Sequence, residues 1–359
     1  MLVVTYMKFD CIIANPPYQD QAVGQADKKL AYMKPLYHYF VKNAIDIIPA
    51  DGLSVQIHPF RCFVIDTFND WRRHVLPYIR YIKYYREPHK VFHGADIAYG
   101  VAIVYYGGTP RADGQYIKFI NMTDYPDDMY DVPQDFIDKH NILLKSKYDY
   151  IIVDKIYKYG NMLYDTYNTH NFQYAIHNNS NIDKITHSDT PKDGYIITKF
   201  SYDRYYYLKA SECNHNYIKH CLNKYKVIIG KMLCGGTHLL CFTEPLDPGI
   251  ANSASYYLLY ACEHLDEAQF VNTYIKTRFV QYLIYIIKGK ICNSLTEFKF
   301  VPDPFVDDGI IYKEYKKQNM DIAALNNFLI DKYVGDDIAL KKCINNIKFD
   351  YRSGRRRIK

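Results

Sequence analysis

Several common molecular devices are missing from this sequence. Its 17 glycines, spread over 359 residues, nowhere form G-x-G-x-x-G or G-x-x-x-x-G-K-[ST], so no glycine cradle for a dinucleotide or a P-loop phosphate is written in the chain. No apolar run is long enough to span a bilayer, and no charged-then-apolar leader with a small-residue cleavage site is present. The nine cysteines include no C-x-x-C pair, which fits reduced, buried thiols better than a disulfide framework. Cys213, His215, His220, Cys221, Cys234, His238 and Cys241 have spacings that match no common zinc site. A cytoplasmic protein without a structural metal is expected.

Apolar residues make up 48% of the chain, enough for a globular protein with a substantial core, and the length suggests two domains. The formal net charge of +6 permits nucleic acid binding without requiring it. Much of the excess lies in the tail Arg352-Ser353-Gly354-Arg355-Arg356-Arg357-Ile358-Lys359, which reads first as a solvated end and second as a phosphate contact. Tyrosine is abundant, 39 residues, alongside many Lys, Ile and Asn, a bias that fits an AT-rich genome as readily as a base-stacking surface.

The most informative stretch is Asn15-Pro16-Pro17-Tyr18, at the end of the mostly apolar run Phe9-Asp10-Cys11-Ile12-Ile13-Ala14. A short apolar run with β-branched residues, stopped by two prolines, reads as a parallel strand that delivers its last side chains to the carboxyl edge of a sheet. Open α/β sheets bind ligands at that edge. Two successive prolines fix their φ angles and extend the residue before each, so the turn is stiff. Neither proline donates an N–H, which leaves the Asn15 side chain and the Asn15 and Pro16 carbonyls available to a ligand.

That arrangement suits methylation of an exocyclic amine. The N6 of adenine is a poor nucleophile because its lone pair is delocalised into the ring. Two fixed oxygens accepting from the amino hydrogens favour a pyramidal nitrogen with its lone pair aimed at an incoming methyl group. Such catalysis is positioning and electrostatic preorganisation, without a covalent intermediate. An aromatic at Tyr18 can stack on a base that has left the duplex. At these four residues the sequence resembles motif IV of the DNA N6-adenine methyltransferases, in which Asn-Pro-Pro-Tyr holds the flipped adenine.

Downstream, Leu36, Phe40, Ala44, Ile45, Ile47 and Ile48 recur at helical spacing and end near Pro49-Ala50-Asp51-Gly52. Leu53–Ile57 reads as a strand, with His58-Pro59-Phe60 as a rigid loop after it. Phe63–Val75 reads as a helix with Phe68 and Trp71 on one face and Arg72 and Arg73 exposed, Tyr78–Tyr84 as a strand, and Ile97–Tyr106 as a final strand preceded by Val91-Phe92-His93-Gly94. This order is the second half of a doubly wound sheet. It resembles motifs IV to VIII of the gamma-type adenine methyltransferases, in which an aromatic ahead of the last strand stacks on the flipped base opposite the tyrosine. The resemblance puts Phe92 in that role, against the alternative of a core phenylalanine. His58 and Arg61 fall near the same edge and read as loop residues.

Residues 111–165 read as a helical linker region, with Asp124–Asp131 acidic and turn-rich. Beyond it, Ile228-Ile229-Gly230-Lys231 and Cys234-Gly235-Gly236-Thr237 read as strand, glycine turn, strand. Glu267 to Lys288, through Tyr274-Ile275-Lys276-Thr277-Arg278-Phe279, reads as one long amphipathic helix, followed by Phe298-Lys299-Phe300-Val301-Pro302. The combination resembles the target-recognition domain of type IIG restriction-modification methylases: lysine with Gly-Gly, an alanine-led helix containing Tyr-x-Lys-Thr-x-Phe, then Phe-x-Val-Pro. It departs after Pro302, where the family has a tryptophan-containing segment and this chain has Asp303-Pro304-Phe305. The resemblance implies a DNA-binding surface including Lys231, Gly235, Gly236, Lys276 and Arg278. On charge alone, Lys231, Lys276 and Arg278 are either phosphate contacts or solvated cations.

The expected fold is thus α/β: a partial, doubly wound, Rossmann-like methyltransferase sheet over 1–110, the linker at 111–165, an α+β target-recognition domain over 166–310, and a helical segment with a basic tail over 311–359. The resemblance implies S-adenosylmethionine as cofactor and double-stranded DNA as substrate. The strand and glycine turn that hold this cofactor precede Asn-Pro-Pro-Tyr in the gamma family and need roughly thirty residues, whereas fourteen precede Asn15 here; only Asn15 would border the cofactor. Three functions stay open: half of a split methyltransferase completed by a second polypeptide, a catalytically silent DNA-binding remnant, or a non-enzymatic restriction-interfering protein on the same fold. No nuclease signature is present.

Overall fold

The structure, a computed structural model, describes residues 9–18, 35–92, 97–167, 175–177, 186–201, 204–233, 239–290 and 293–347. Two compact units divide the described residues: the first runs to Tyr150 and includes Ile287–Lys290, and the second takes Ile151–Ile286 and the described residues after Lys290.

The first unit is built on a six-stranded mixed sheet of order β1-β2-β4-β3-β5-β6. Its strands are β1 (Cys11–Ala14), β2 (Leu53–Pro59), β3 (Ile79–Tyr85), β4 (Val101–Gly107), β5 (Lys118–Asn121) and β6 (Tyr125–Asp131). β1 runs parallel to β2, β4 lies antiparallel between β2 and β3, and β5 is parallel to β3. The carboxyl ends of β1, β2, β3 and β5 therefore share one edge. Helix α1 (Tyr37–Ile47) connects β1 to β2, and α2 (Asn69–Val75) with its flanking 3-10 turns connects β2 to β3. Both are long-range crossovers of the kind parallel strands require. The core beneath the sheet holds Phe60, Phe63, Val75, Ile79, Ile82, Val104 and Phe119, all fully buried.

Several elements differ from the sequence expectation. β2 runs on through His58 and Pro59 before the chain turns at Phe60–Phe63; Pro59 pairs with Val101 at the strand end, where its missing N–H costs no internal ladder bond. The helix expected over Phe63–Val75 is confined to Asn69–Val75, because two 3-10 turns precede it. Arg72, expected on the surface, is 1% exposed. β4 begins at Val101, not Ile97: Tyr99 and Gly100 both have positive φ, 67° and 82°, a backbone that cannot continue a strand. Gly100 is required there because a Cβ would lie 2.5 Å from the Tyr85 carbonyl oxygen. The 111–165 region contributes β5, β6 and α3 (Gln134–His140) to the first unit, and the chain passes to the second after Tyr150, within α4 (Lys147–Tyr157).

In the second unit, which also carries α5 (Leu163–Tyr167), a four-stranded sheet has the order β12-β8-β9-β7 and a three-stranded sheet the order β11-β10-β13. The strands are β7 (His187–Ser188), β8 (Tyr195–Ser201), β9 (Arg204–Lys209), β10 (Tyr225–Leu233), β11 (Leu240–Phe242), β12 (Ala251–Asn252) and β13 (Tyr256–Cys262). A core of Ile176, Leu208, Tyr217, Ile228, Ala251 and Leu258 binds these sheets to α6 (His215–His220). Lys226, wholly buried, donates from Nζ to the carbonyls of Cys221, Leu222, Lys224 and Asp247, tying the turn after α6 to β10. The helix expected over Glu267–Lys288 is two, α7 (Leu265–Lys276) and α8 (Arg278–Ile287). Thr277 breaks it: its backbone is extended at ψ 146° and its hydroxyl donates to the Tyr274 carbonyl. α9 (Val306–Gln318), α10 (Ile322–Tyr333) and α11 (Ile338–Asn346) complete the unit. Among the described residues no helix is long and apolar enough to cross a membrane. Cys241 is disulfide-bonded, which departs from the all-thiol expectation, while Cys11, Cys62, Cys213, Cys221, Cys262 and Cys343 are free.

Candidate active site

β1 stops at Ala14, beside Gln56 of β2, so Asn15 leaves the sheet at the same edge as His58 and Pro59. Pro16 is buried and anchors the turn; Asn15 and Pro17 are exposed. The Asn15 side chain makes no hydrogen bond to a described residue. Tyr18 is half-buried, and burial pushes its hydroxyl up to about 12. It therefore stays protonated at neutral pH and offers an uncharged ring.

Tyr18 is held from behind. Its carbonyl accepts from the Leu36 N–H at 3.4 Å, and its ring meets that of Tyr37 edge-to-face, with centroids 6.1 Å apart at 83°. Tyr37, at the start of α1, is fully buried and stacks on His58 at 5.7 Å and 7°. His58 in turn donates from Nδ1 to the Pro59 carbonyl at 3.3 Å and, in that tautomer, accepts at Nε2 from the Tyr106 hydroxyl at 2.8 Å. The imidazole that the sequence placed in a loop is thus a core residue of β2.

Burial lowers His58 from its ordinary value of 6.5 to about 4, with the Pro59 carbonyl opposing weakly. Between those values the unfolded chain binds the proton and the folded unit does not, so stability rises with pH across that window. Its contribution is present above about 6.5 and lost as pH falls through about 4. His58→Gln, which has no titrating ring, is expected to show a shallower loss of melting temperature from pH 6.5 to pH 4 than the parent; equal slopes would show that His58 is not the responsible group.

Phe92 follows β3 and lies near the same sheet edge, separated from β1 by two strands in the order of the sheet. It is half-buried, accepts no place in the core, and meets Tyr85 edge-to-face at 6.1 Å and 80°. Its N–H donates to the Pro88 carbonyl at 2.7 Å. Asn15, Pro16, Pro17, Tyr18 and Phe92 are therefore on loops that leave one edge of one sheet. Residues 3–92 match the family model of the Eco57I restriction-modification methylase.

That match spans both the Asn15–Tyr18 turn and Phe92. No curated protein matches the sequence. Among solved structures the chain is similar to the type IIL restriction-modification enzyme MmeI in complex with DNA, at 10% identity and TM-score 0.43 over 93% of this chain and 53% of that one. It is similar also to the type IIG restriction endonuclease BpuSI, at 9% identity and TM-score 0.35 over 94% and 52%, and to the DrdV–DNA complex, at 12% identity and TM-score 0.38 over 86% and 44%. The chain thus spans about half the length of the structures it matches.

The remaining candidates lie in the second unit. Lys231 at the end of β10 is half-buried, with Nζ 5.0 Å from the centre of the Tyr257 ring. Lys276 pairs with Glu244 at 3.0 Å. Arg278 donates to the Ile344 carbonyl at 3.2 Å and to that of Ile347, closing the end of α11, and burial lowers its guanidinium. Gly235 and Gly236 lie outside the described residues, as do Cys234 and His238. Among the described residues no cluster of three metal-ligating side chains occurs.

Three groups at the carboxyl edge escaped the sequence reading: Tyr37, Tyr85 and Lys145. Lys145, buried beside the end of β5, donates from Nζ to the Lys288 carbonyl at 3.3 Å, and burial lowers it to about 7. Nothing in Leu144-Lys145-Ser146-Lys147 marks one lysine as internal and the other as solvated.

Proposed function

We propose that this chain holds the target adenine in an S-adenosylmethionine-dependent DNA adenine-N6 methyltransferase of a restriction-modification system. The observation that carries the proposal is Asn15: an exposed amide with no described partner, at the carboxyl end of β1, followed by a buried proline that fixes the turn. The Asn15 oxygen and the carbonyl of the proline turn accept from the two amino hydrogens of an extruded adenine, while Tyr18 and Phe92 supply flat apolar surfaces for the base. Positioning of this kind needs no ionised side chain, in keeping with a site whose aromatic hydroxyl is uncharged.

S-adenosylmethionine would supply the electrophilic methyl group. The described residues that this proposal uses are those that hold the base. β1 is an edge strand with Ile13 81% and Phe9 46% exposed, and Cys11 exposed as well. An apolar parallel strand open on one side invites a further strand, and in the split form of the proposal a second polypeptide supplies it. In the second unit Lys231, Lys276 and Arg278 are the candidate phosphate contacts, Lys276 also pairing with Glu244 and Arg278 also holding the end of α11.

The test is methylation of unmodified genomic DNA with tritiated S-adenosylmethionine, using the chain purified together with the product of the neighbouring gene, followed by digestion to nucleosides. Label in N6-methyladenine is expected. Label in a methylated cytosine would overturn the adenine assignment, and DNA binding without any label would favour the silent remnant.

A further inference from the structure

Both candidate base-stacking rings are backed in the same way. Tyr18 meets Tyr37 at 6.1 Å and 83°, and Phe92 meets Tyr85 at 6.1 Å and 80°. Edge-to-face pairing is the favoured geometry for two aromatic quadrupoles, and the contact itself takes up at most one face of each outer ring. The two backing tyrosines belong to the scaffold. Tyr37 starts α1 and is clamped between His58 and Phe68, both at 5.7 Å. Tyr85 ends β3, paired with Val101, and Gly100 approaches it too closely to admit a side chain. In contrast, Tyr18 and Phe92 are on loops, and loops hold their side chains less exactly than sheets and helices do.

The geometry points to Tyr37 and Tyr85 as positioning residues that hold Tyr18 and Phe92 ready for an extruded base, an inference that rests on the adenine-holding function proposed above. Each acts through its ring. The buried Tyr37 hydroxyl lies against the Arg61 guanidinium, whereas it is the ring that meets Tyr18.

The test compares binding of the full chain to two probes: a short duplex in which one adenine faces an abasic site, which presents a base already free to leave the stack, and the same duplex fully paired. The parent chain is expected to prefer the first. Tyr37→Leu and Tyr85→Leu are each expected to lose that preference by about tenfold, the worth of one stacking contact, with affinity for the paired duplex within a factor of about two. Tyr37→Phe and Tyr85→Phe keep the rings and are expected to keep the preference. A role in folding alone would lower both affinities together. Should Tyr37→Leu fail to fold, the half-buried Tyr85 still decides the matter. A preference undiminished in the leucine variants would overturn this inference; the absence of any preference in the parent would instead overturn the adenine-holding function itself.

Discussion

Asn15→Ala is expected to lower methyl transfer by at least about a hundredfold in whatever assembly the parent is active, and to leave DNA affinity within a factor of about two. The size follows from what one preorganised acceptor contributes to a transition state, on the order of 10²–10³ in rate. The specificity follows from the structure. Asn15 is exposed and bonded to no described residue, so truncation opens no cavity, and a surface substitution of this kind changes stability by only about 0.5 kcal/mol. Pro16, which is buried, continues to shape the turn. Asn15→Asp offers a sharper comparison. A carboxylate keeps an acceptor at the same distance but adds a charge that must be desolvated against the base, so activity between that of the parent and that of Asn15→Ala is expected. Tritium incorporated at the parental rate by Asn15→Ala would remove the basis of the functional proposal, because the proposal assigns one of the two acceptors to that side chain.

The parts of this site that were legible in the sequence are those with strong local chemistry. Two prolines after an apolar run announce the end of a strand wherever it stands, and α1 is legible because its apolar residues recur at helical spacing. What was not legible depends on partners far along the chain. β5 and β6 escaped because Tyr125-Pro126-Asp127-Asp128 reads as a turn; charged side chains on an outer strand are a device against edge pairing, and they hide the strand from a pattern based on alternation. The break at Thr277 has neither glycine nor proline to signal it. Lys276 and Arg278 look like free cations until Glu244 and the carbonyls of α11 are brought to them by folding. Tyr37 and Tyr85 were invisible for a different reason: among 39 tyrosines, only geometry distinguishes the ones behind the candidate base-stacking rings.

Arg72 shows the same limit with the largest consequence for stability. In sequence, Arg72-Arg73 looks like a solvated pair at the end of a helix. In the structure Arg73 is solvated near Asp70, while Arg72 is 1% exposed and donates from Nε to the Asn141 carbonyl at 2.6 Å and from Nη1 to the carbonyls of Cys62 and Ile65 at 2.9 and 2.6 Å. Burial lowers its guanidinium to about 10, with the neighbouring Cys62 and Asp66 opposing, so it remains charged at neutral pH. One rigid fork thereby joins the turns after β2, which carry His58's neighbours, to the left-handed Asn141 that ends α3. Arg72→Met fills much of the same volume and removes a donor from three carbonyls, of which Ile65 keeps the Phe68 N–H; each unsatisfied buried group costs about 1–3 kcal/mol, partly offset because the charge no longer needs burying, for a net loss of about 2–4 kcal/mol. Against a typical domain stability of about 5–15 kcal/mol, that loss brings the first unit near unfolding at ambient temperature. Arg72→Lys is expected to recover only part of it, since a single ammonium cannot reproduce the fork. Chemical denaturation followed by the single tryptophan, Trp71, reports this unit directly, and amide exchange over 60–65 and 140–142 should rise before exchange in β4. A midpoint for Arg72→Met equal to that of the parent would mean that water or a shifted backbone satisfies those carbonyls, and that the fork does not organise the turns behind the candidate site.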